Sequence, residues 1–368
     1  MEKIKNFIKN EAVLLISFFL AVGSAFIVKP NAEYLGYIDF KTLALLFCLM
    51  AVMAGFGKLG LFDFLAKKLL SGVGSVRQLC FVLCLFCFFS AMVITNDVAL
   101  ITFVPFSVEA LRLSGRKDKL IFLVTLETVA ANLGSMLTPI GNPQNLYLFS
   151  AFGMSIGDFV SAVLPYTVLS LLLVIAVSLF SGKEKIKCLN ADGNKFSFGL
   201  NGAVYSVLFV LSLLTVFKVI PFVVTLAVTL VSLLIFDRKT IARVDYSLLL
   251  TFVFLFVFIG NLGKIDAVSE FLKNAVADRE VIAGVAASQV FSNVPAAILL
   301  AGFTDNAKDL LIGVNLGGLG TLIASMASLI SFKFVVKENV KAGRYLLAFT
   351  IVNIVFLAFN LALWLIIK

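Results

Sequence analysis

Two short polar breaks, almost two hundred residues apart, interrupt long apolar runs in the same way: Ile94-Thr95-Asn96-Asp97-Val98-Ala99 and Phe291-Ser292-Asn293-Val294-Pro295-Ala296. Each is followed by a second break that begins with the same tripeptide, Asn132-Leu133-Gly134 in one case and Asn315-Leu316-Gly317 in the other. The first of these continues as Thr138-Pro139-Ile140-Gly141-Asn142-Pro143-Gln144-Asn145, and the second as Thr321-Leu322-Ile323-Ala324-Ser325-Met326-Ala327-Ser328. Irregular backbone in a bilayer has to be buried in protein or line a wet cavity, because lipid offers its N–H and C=O groups no partners. Paired interruptions at corresponding places in two halves therefore point to a secondary transporter.

Composition puts these breaks in a membrane. The 368 residues are 61% apolar and only 14% charged, with 38 phenylalanines, so the bulk of the chain has to face lipid. The expected fold is an all-α polytopic membrane protein. The absence of histidine removes His-based proton relays, the usual zinc sites and any Ser-His-Asp arrangement. Of Cys48, Cys80, Cys84, Cys87 and Cys188, three share one helix face at membrane depth, which reads as packing. With no nucleophile–base pair and no clustered acids, we expect a transporter rather than an enzyme, with no cofactor and no metal beyond a coupling Na+. The net charge of +9 sits in short loops beside apolar segments, where it orients the chain in the bilayer and does not bind nucleic acid.

Segment lengths give the threading. Lys3, Lys5 and Lys9 precede an uncleaved first span, Ala12 to Val28, and Thr42 to Gly57 returns. Lys58 to Gln78 lies amphipathically at the interface. Residues 79–111 are too long for one span and too short for two with a loop, and both flanks are basic. That predicts a re-entrant hairpin with Thr95-Asn96-Asp97 near the middle of the membrane. Residues 120–149 form a span broken between Pro139 and Pro143, since proline removes donors and cannot continue a helix. In the second half the hairpin is 281–303 and the broken span 310–331. The proposed units are 1–200 and 201–368. This threading puts twenty-two of the thirty Lys and Arg residues on the cytoplasmic face, with the N-terminus. It also opens the two hairpins to opposite faces, so the halves are inverted copies. We expect a bacterial-type inner-membrane location.

Both tips and both breaks should meet near the bilayer middle, with helices starting at Val98, at Pro295, after Pro143 and after Met326. Helix N-termini aimed at one cavity favour an anion. The amides and hydroxyls nearby suit carboxylate or oxyanion recognition and small-cation coordination. We assign Thr95, Asn96, Asn142, Ser292, Asn293 and Ser325 to substrate. Asp97, Thr138, Gly141, Asn145, Thr321 and Ser328 are assigned to the coupling cation, H+ or Na+. No Lys or Arg lies within the spans, so co-bound cations have to offset an anion's charge. Asp97 and Glu127 are the acids in the apolar interior. Asp97 reads either as an N-cap for a helix starting at Val98 or as a cap that also couples, and Glu127 as snorkelling, structural or functional. Gly313-x-x-x-Gly317 reads as close helix packing.

Thr95-Asn96-Asp97-Val98-Ala99 with Pro105, and the Thr138 to Asn145 run with its G-N-P-Q-N core, resemble the ion transporter superfamily. That group contains divalent anion/sodium symporters, citrate transporters, arsenite pump membrane subunits and a class of Na+/H+ antiporters. Ser292-Asn293 with Asn315-Leu316-Gly317-Gly318 resembles its second repeat. The resemblance implies eleven spans, two opposed hairpins, scaffold and transport domains, an elevator-type movement and a homodimer. In the dicarboxylate branch both tips carry Ser-Asn-Thr, where Na+ and substrate carboxylates bind. Here the third residue departs in both copies, to Asp97 and Val294, which moves the chain toward the citrate-transporter-like and arsenite-pump branch and makes proton coupling plausible. The rival readings are a Na+/H+ antiporter using Asp97 and Glu127, and an arsenite exporter.

Overall fold

The computed structural model describes residues 11–70, 72–185 and 198–368. The basic N-terminal flank with Lys3, Lys5 and Lys9, and the positions of Lys187, Cys188 and Lys195, lie outside the described residues. The described chain is helical, with one isolated bridge between Ser75 and Lys185. In order the helices are α1 Ala12–Ile27, α2 Tyr34–Tyr37, α3 Phe40–Lys58, α4 Leu61–Leu70, α5 Val76–Ile94, α6 Asn96–Leu113, α7 Leu120–Gly134, α8 Pro143–Ala151 and α9 Ile156–Leu179. There follow α10 Gly199–Val216, α11 Phe222–Phe236, α12 Arg238–Ile241, α13 Tyr246–Gly263, α14 Asp266–Val276, α15 Glu280–Phe291, α16 Asn293–Ala301, α17 Ala307–Leu316, α18 Met326–Lys337 and α19 Ala342–Ile367. Among the described residues seven segments are long and apolar enough to cross a bilayer, and α1, α11 and α15 are shorter apolar helices. This is a multi-pass membrane protein.

Short polar residues set where several helices begin. Asp39, Ser155, Asp245 and Asn306 each accept from a backbone N–H in the first turn of α3, α9, α13 and α17. The expected amphipathic segment 58–78 condenses to the ten residues of α4. The first hairpin is α5 and α6, of 19 and 18 residues, so each arm is about 28 Å long. The second, α15 and α16, has 12 and 9 residues, with arms of about 18 and 14 Å. The first is therefore long enough to carry its polar ends out of the hydrocarbon, whereas the second cannot cross it.

Ion pairs sort the loops into two rims. At one, Lys58 pairs with Asp237 at 2.7 Å, Arg116 and Lys119 with Glu184 at 3.0 and 3.1 Å, and Lys117 with Glu338 at 2.8 Å. Glu184 also accepts the Val76 N–H through its carbonyl at 2.9 Å, so both ends of the first hairpin meet on one residue. Its carboxyl is held below the usual range by backbone hydrogen bonding first and then by Lys119. At the other rim Lys264 pairs with Glu33 at 2.9 Å and Lys308 with Asp158 at 2.8 Å. Each of these pairs joins loops that the charge pattern places on the same face. Asp237 is buried, but the other pairs are exposed and contribute at most about 1 kcal/mol each, so they mark the rims and do not hold the bundle together.

Packing does that. One group of helices is built on α3, α10 and α11, with α13 against α1. The other gathers α5 to α9 with α15 to α19. They touch chiefly where α3 meets α8 and α13 meets α16. Within the second group the tripeptide glycines work alike. A Cβ on Gly134 would fall on the Phe88 backbone carbonyl of α5, and one on Gly317 on the Ser288 side chain of α15. Gly313 is as tightly pressed against the Glu280 and Val281 carbonyls, so Gly313-x-x-x-Gly317 is a packing stripe. Cys80, Cys84 and Cys87 are buried in α5, with the first two sulfurs 3.9 Å apart. Gly134→Ala and Gly317→Ala should each cost about 1–3 kcal/mol through overpacking. Gly343→Ala, where nothing lies within reach of a Cβ, should cost nothing. Thermal unfolding in detergent checks this, and equal midpoints for all three would refute the packing.

Candidate functional site

The two hairpin tips share one unusual backbone conformation. Thr95 sits at φ 71°, ψ 154° and Ser292 at φ 73°, ψ 155°, a region that side chains normally avoid. Holding a residue there costs on the order of 1–3 kcal/mol, and each tip is over-determined by the main-chain contact of the next residue. The Asn96 N–H donates to the Gly141 carbonyl at 3.3 Å, and the Asn293 N–H to the Ala324 carbonyl at 3.0 Å. Each tip is thus docked on the break of its own half. Because Thr95 and Ser292 take up the turn, the helices begin at Asn96 and Asn293, two residues earlier than expected. Asp97 therefore lies inside the first turn of α6 and is not its N-cap; its own N–H donates to Asn96 Oδ1 at 2.9 Å.

Buried amides stitch the breaks together. Asn132 Oδ1 accepts from Asn96 Nδ2 at 2.8 Å and from Ser325 Oγ at 3.0 Å, so the first tip and the second break meet on one residue of α7. Asn315 Nδ2 donates to Asn145 Oδ1 at 2.7 Å, joining the second tripeptide to the first break. Asn145 Nδ2 in turn donates to the Ser135 and Thr138 carbonyls at 3.2 and 3.1 Å. Asn142 Nδ2 donates to Ser135 Oγ, and Thr138 Oγ1 to the Met92 carbonyl. A Cβ on Gly141 would strike the Ser135 carbonyl, so only glycine fits where the tip docks. In the second half Gln289 does the stitching. Its Nε2 donates to the Gly317 and Leu319 carbonyls at 2.9 Å each, and its Oε1 accepts from the Thr321 N–H at 2.9 Å.

A cavity of about 360 Å3 lies where the two helix groups face each other. Thr95, Asp97, Val98, Ile140, Asn142 and Pro143 line one side, so the N-termini of α6 and α8 both open on it. The α3 residues Leu46 to Gly57 and the loop residues Arg243 and Asp245 line the other. A smaller neighbour shares Asp245 and Leu248 and reaches Met326 at the start of α18. One carboxylate oxygen of Asp97 is buried without a partner. Its counterpart in the second tip is the buried Val294.

The proposed site residues thus fall into three groups. Thr95, Asp97 and Asn142 face the large cavity. Asn96, Ser292, Asn293 and Ser325 are buried behind it in the seam, and Ser328 is buried with a free hydroxyl. Thr138, Gly141 and Asn145 tie the first break to α5, to the first tip and to Asn315 respectively, while Thr321 is exposed. Glu127 is fully buried and accepts from Ser107 Oγ at 2.6 Å, so it does not snorkel. Sequence reasoning did not single out Asn132 and Asn315 as seam residues, although the repeated Asn-Leu-Gly was their signal. Nor did it mark Gln289, a lone amide in an apolar helix, or Arg243, one of the loop charges counted on the cytoplasmic face.

Replacing Asn132 by Ala leaves Asn96 and Ser325 without an acceptor, and each buried orphan costs about 1–3 kcal/mol. Asn132→Ala should therefore lower the thermal midpoint well beyond Asn353→Ala, whose amide only bonds back to the Phe349 carbonyl of its own helix. Equal losses would count against the seam.

Comparison with known proteins supplies the lineage. A family model described as Citrate transporter matches residues 4–311. The Methanocaldococcus jannaschii protein named Uncharacterized transporter MJ0456 is 34% identical over 332 residues, 90% of each chain. Inner membrane protein YbiR of Escherichia coli is 30% identical over 320 residues, 85% of each chain. Silicon efflux transporter LSI3 of Oryza sativa is 33% identical over 154 residues, 42% of this chain and 30% of its own.

Proposed function

We propose, because the chain belongs to the citrate transporter family, that it is a secondary transporter of a small anion, a carboxylate or an oxyanion, coupled to H+ or Na+ through Asp97. The observation that carries this reading is the cavity where two helix N-termini, Thr95 and Asn142 meet a carboxylate with an unpartnered buried oxygen. The helix ends and polar side chains favour negative charge, and the ionised Asp97 opposes it. At about 5 Å and an effective dielectric of about 20, two like charges repel by about 3 kcal/mol. Protonating Asp97, or placing a cation against it, removes that repulsion, and the effect is reciprocal: an anion in the cavity favours the cation. Symport needs this coupling, and a simple anion pore does not. The second tip carries Val294 at the same place, so one coupling carboxylate serves both halves.

The remaining elements of the reading are of one piece. Residues 1–200 and 201–368 are inverted copies, the α3-based group is a scaffold, and the α5-to-α9 and α15-to-α19 group is the moving part in an elevator-type exchange. The protein works as a homodimer in a bacterial-type inner membrane, with its N-terminus in the cytoplasm. The two hairpins opening toward opposite rims support the inversion, and the cavity between two helix groups supports the relative movement. A second reading has one observation behind it, the relative named Silicon efflux transporter. A neutral hydroxide would need no counter-charge in a cavity with so apolar an α3 wall.

Uptake into proteoliposomes across a panel of citrate, succinate, malate, phosphate and silicic acid, with imposed pH or Na+ gradients, separates these. Wild type should accumulate one of the anions when a gradient is imposed. Asp97→Asn should abolish the response to the gradient while anion exchange continues within about fivefold of wild type. Accumulation of silicic acid alone, or a gradient response that survives Asp97→Asn, would overturn the anion-symport reading.

A further inference from the structure

We infer that Arg243 is a side-specific anion-binding residue: it meets the substrate in the cavity from the stationary wall, and so strengthens binding only from the rim at which the cavity opens. The inference rests on the proposed relative movement of the two helix groups and adds a residue that the tips do not supply.

Arg243 follows α12, a short turn anchored by one buried carboxylate. Both Asp237 oxygens accept from Lys58 Nζ at 2.7 Å, and one also accepts from the Tyr205 hydroxyl at 2.8 Å and from Thr240 Oγ1 at 2.9 Å. Those four residues belong to α3, α10 and the α11–α12 corner, so the turn is fixed to the α3-based group. The Arg243 N–H then donates to the Thr240 carbonyl at 3.0 Å, and Val244 beside it is buried. The Arg243 backbone is thus fixed to this wall, and its exposed side chain lines the cavity. Asp245, the nearest acid in sequence, is engaged: its Oδ1 caps α13 by accepting from the Leu248 N–H at 2.9 Å.

Across the cavity stand Thr95, Asp97 and Asn142, which belong to the other group. Arg243 is the cation among the residues that line this cavity, opposite two helix N-termini. A guanidinium presents a planar fork that matches a carboxylate or an oxyanion in a bidentate way. The polar residues of the tip and break would bind one end of an anion and Arg243 another. When the tip moves relative to the wall, the anion leaves with the tip and the arginine stays. The contact therefore exists in one access state and is lost in the other. At the opposite rim the anion faces a different wall.

The experiment measures half-saturation concentrations in right-side-out and inside-out membrane vesicles. The probe is whichever of citrate, succinate, malate and phosphate the wild-type protein moves fastest. Arg243→Gln should raise the half-saturation concentration about tenfold from the rim that carries Lys58 and Arg243, and by less than about twofold from the other. Arg243→Lys should recover part of the loss. The unchanged value at the far rim doubles as proof that the variant is folded. An equal rise at both rims, or none at either, overturns the inference and leaves the anion reading intact. A wild-type protein that moves none of the four anions overturns both.

Discussion

Every structural choice around the centre of this molecule answers one requirement: a peptide group at membrane depth must find a partner inside the protein. Four interrupted stretches come together there, and each has its freed backbone groups taken up by named donors and acceptors. Asn96 and Asn293 dock their tips through main-chain N–H groups, Asn145 gathers the carbonyls of the first break, and Gln289 gathers those of the second. The positive φ at Thr95 and Ser292, the glycine at 141 and the tripeptide glycines at 134 and 317 are the local terms on which that docking is possible. The same amides tie the halves to each other, since Asn132 receives both Asn96 and Ser325.

The two tips share one backbone conformation but differ in what they expose. The first tip turns Asp97 into a cavity, whereas the second packs Val294 away from water. The tip carboxylate therefore belongs to the first half only, and the cavity is bounded on its far side by the loop that carries Arg243 and a second acid, Asp245.

Most of the helical layout was legible in the sequence because apolar runs this long leave few alternatives, and because Pro143 and the Asn-rich breaks interrupt them abruptly. The same-side grouping of loops followed from counting Lys and Arg. Helix starts were misplaced by two residues at both tips, since nothing in Thr95 or Ser292 announces a conformation that glycine normally takes. That error made Asp97 look like a cap. In the sequence Arg243 is only one more orienting loop charge, and the turn that carries it is held by Asp237 pairing with Lys58, 179 residues away. Gln289 carries no spacing signal at all. Asn132 did have one, in the repeated Asn-Leu-Gly, yet its role as a shared acceptor depends on contacts almost two hundred residues apart.

The central claim is that the breaks of the two halves are energetically one unit, joined through the Asn132 side chain. A double-mutant cycle between Asn132→Ala and Ser325→Ala, with unfolding free energies from denaturant titration in mixed micelles, tests it most directly. The account predicts a coupling of at least about 0.5 kcal/mol for that pair and additivity for Asn132→Ala combined with Asn353→Ala. Additivity within about 0.3 kcal/mol in the first cycle would contradict it.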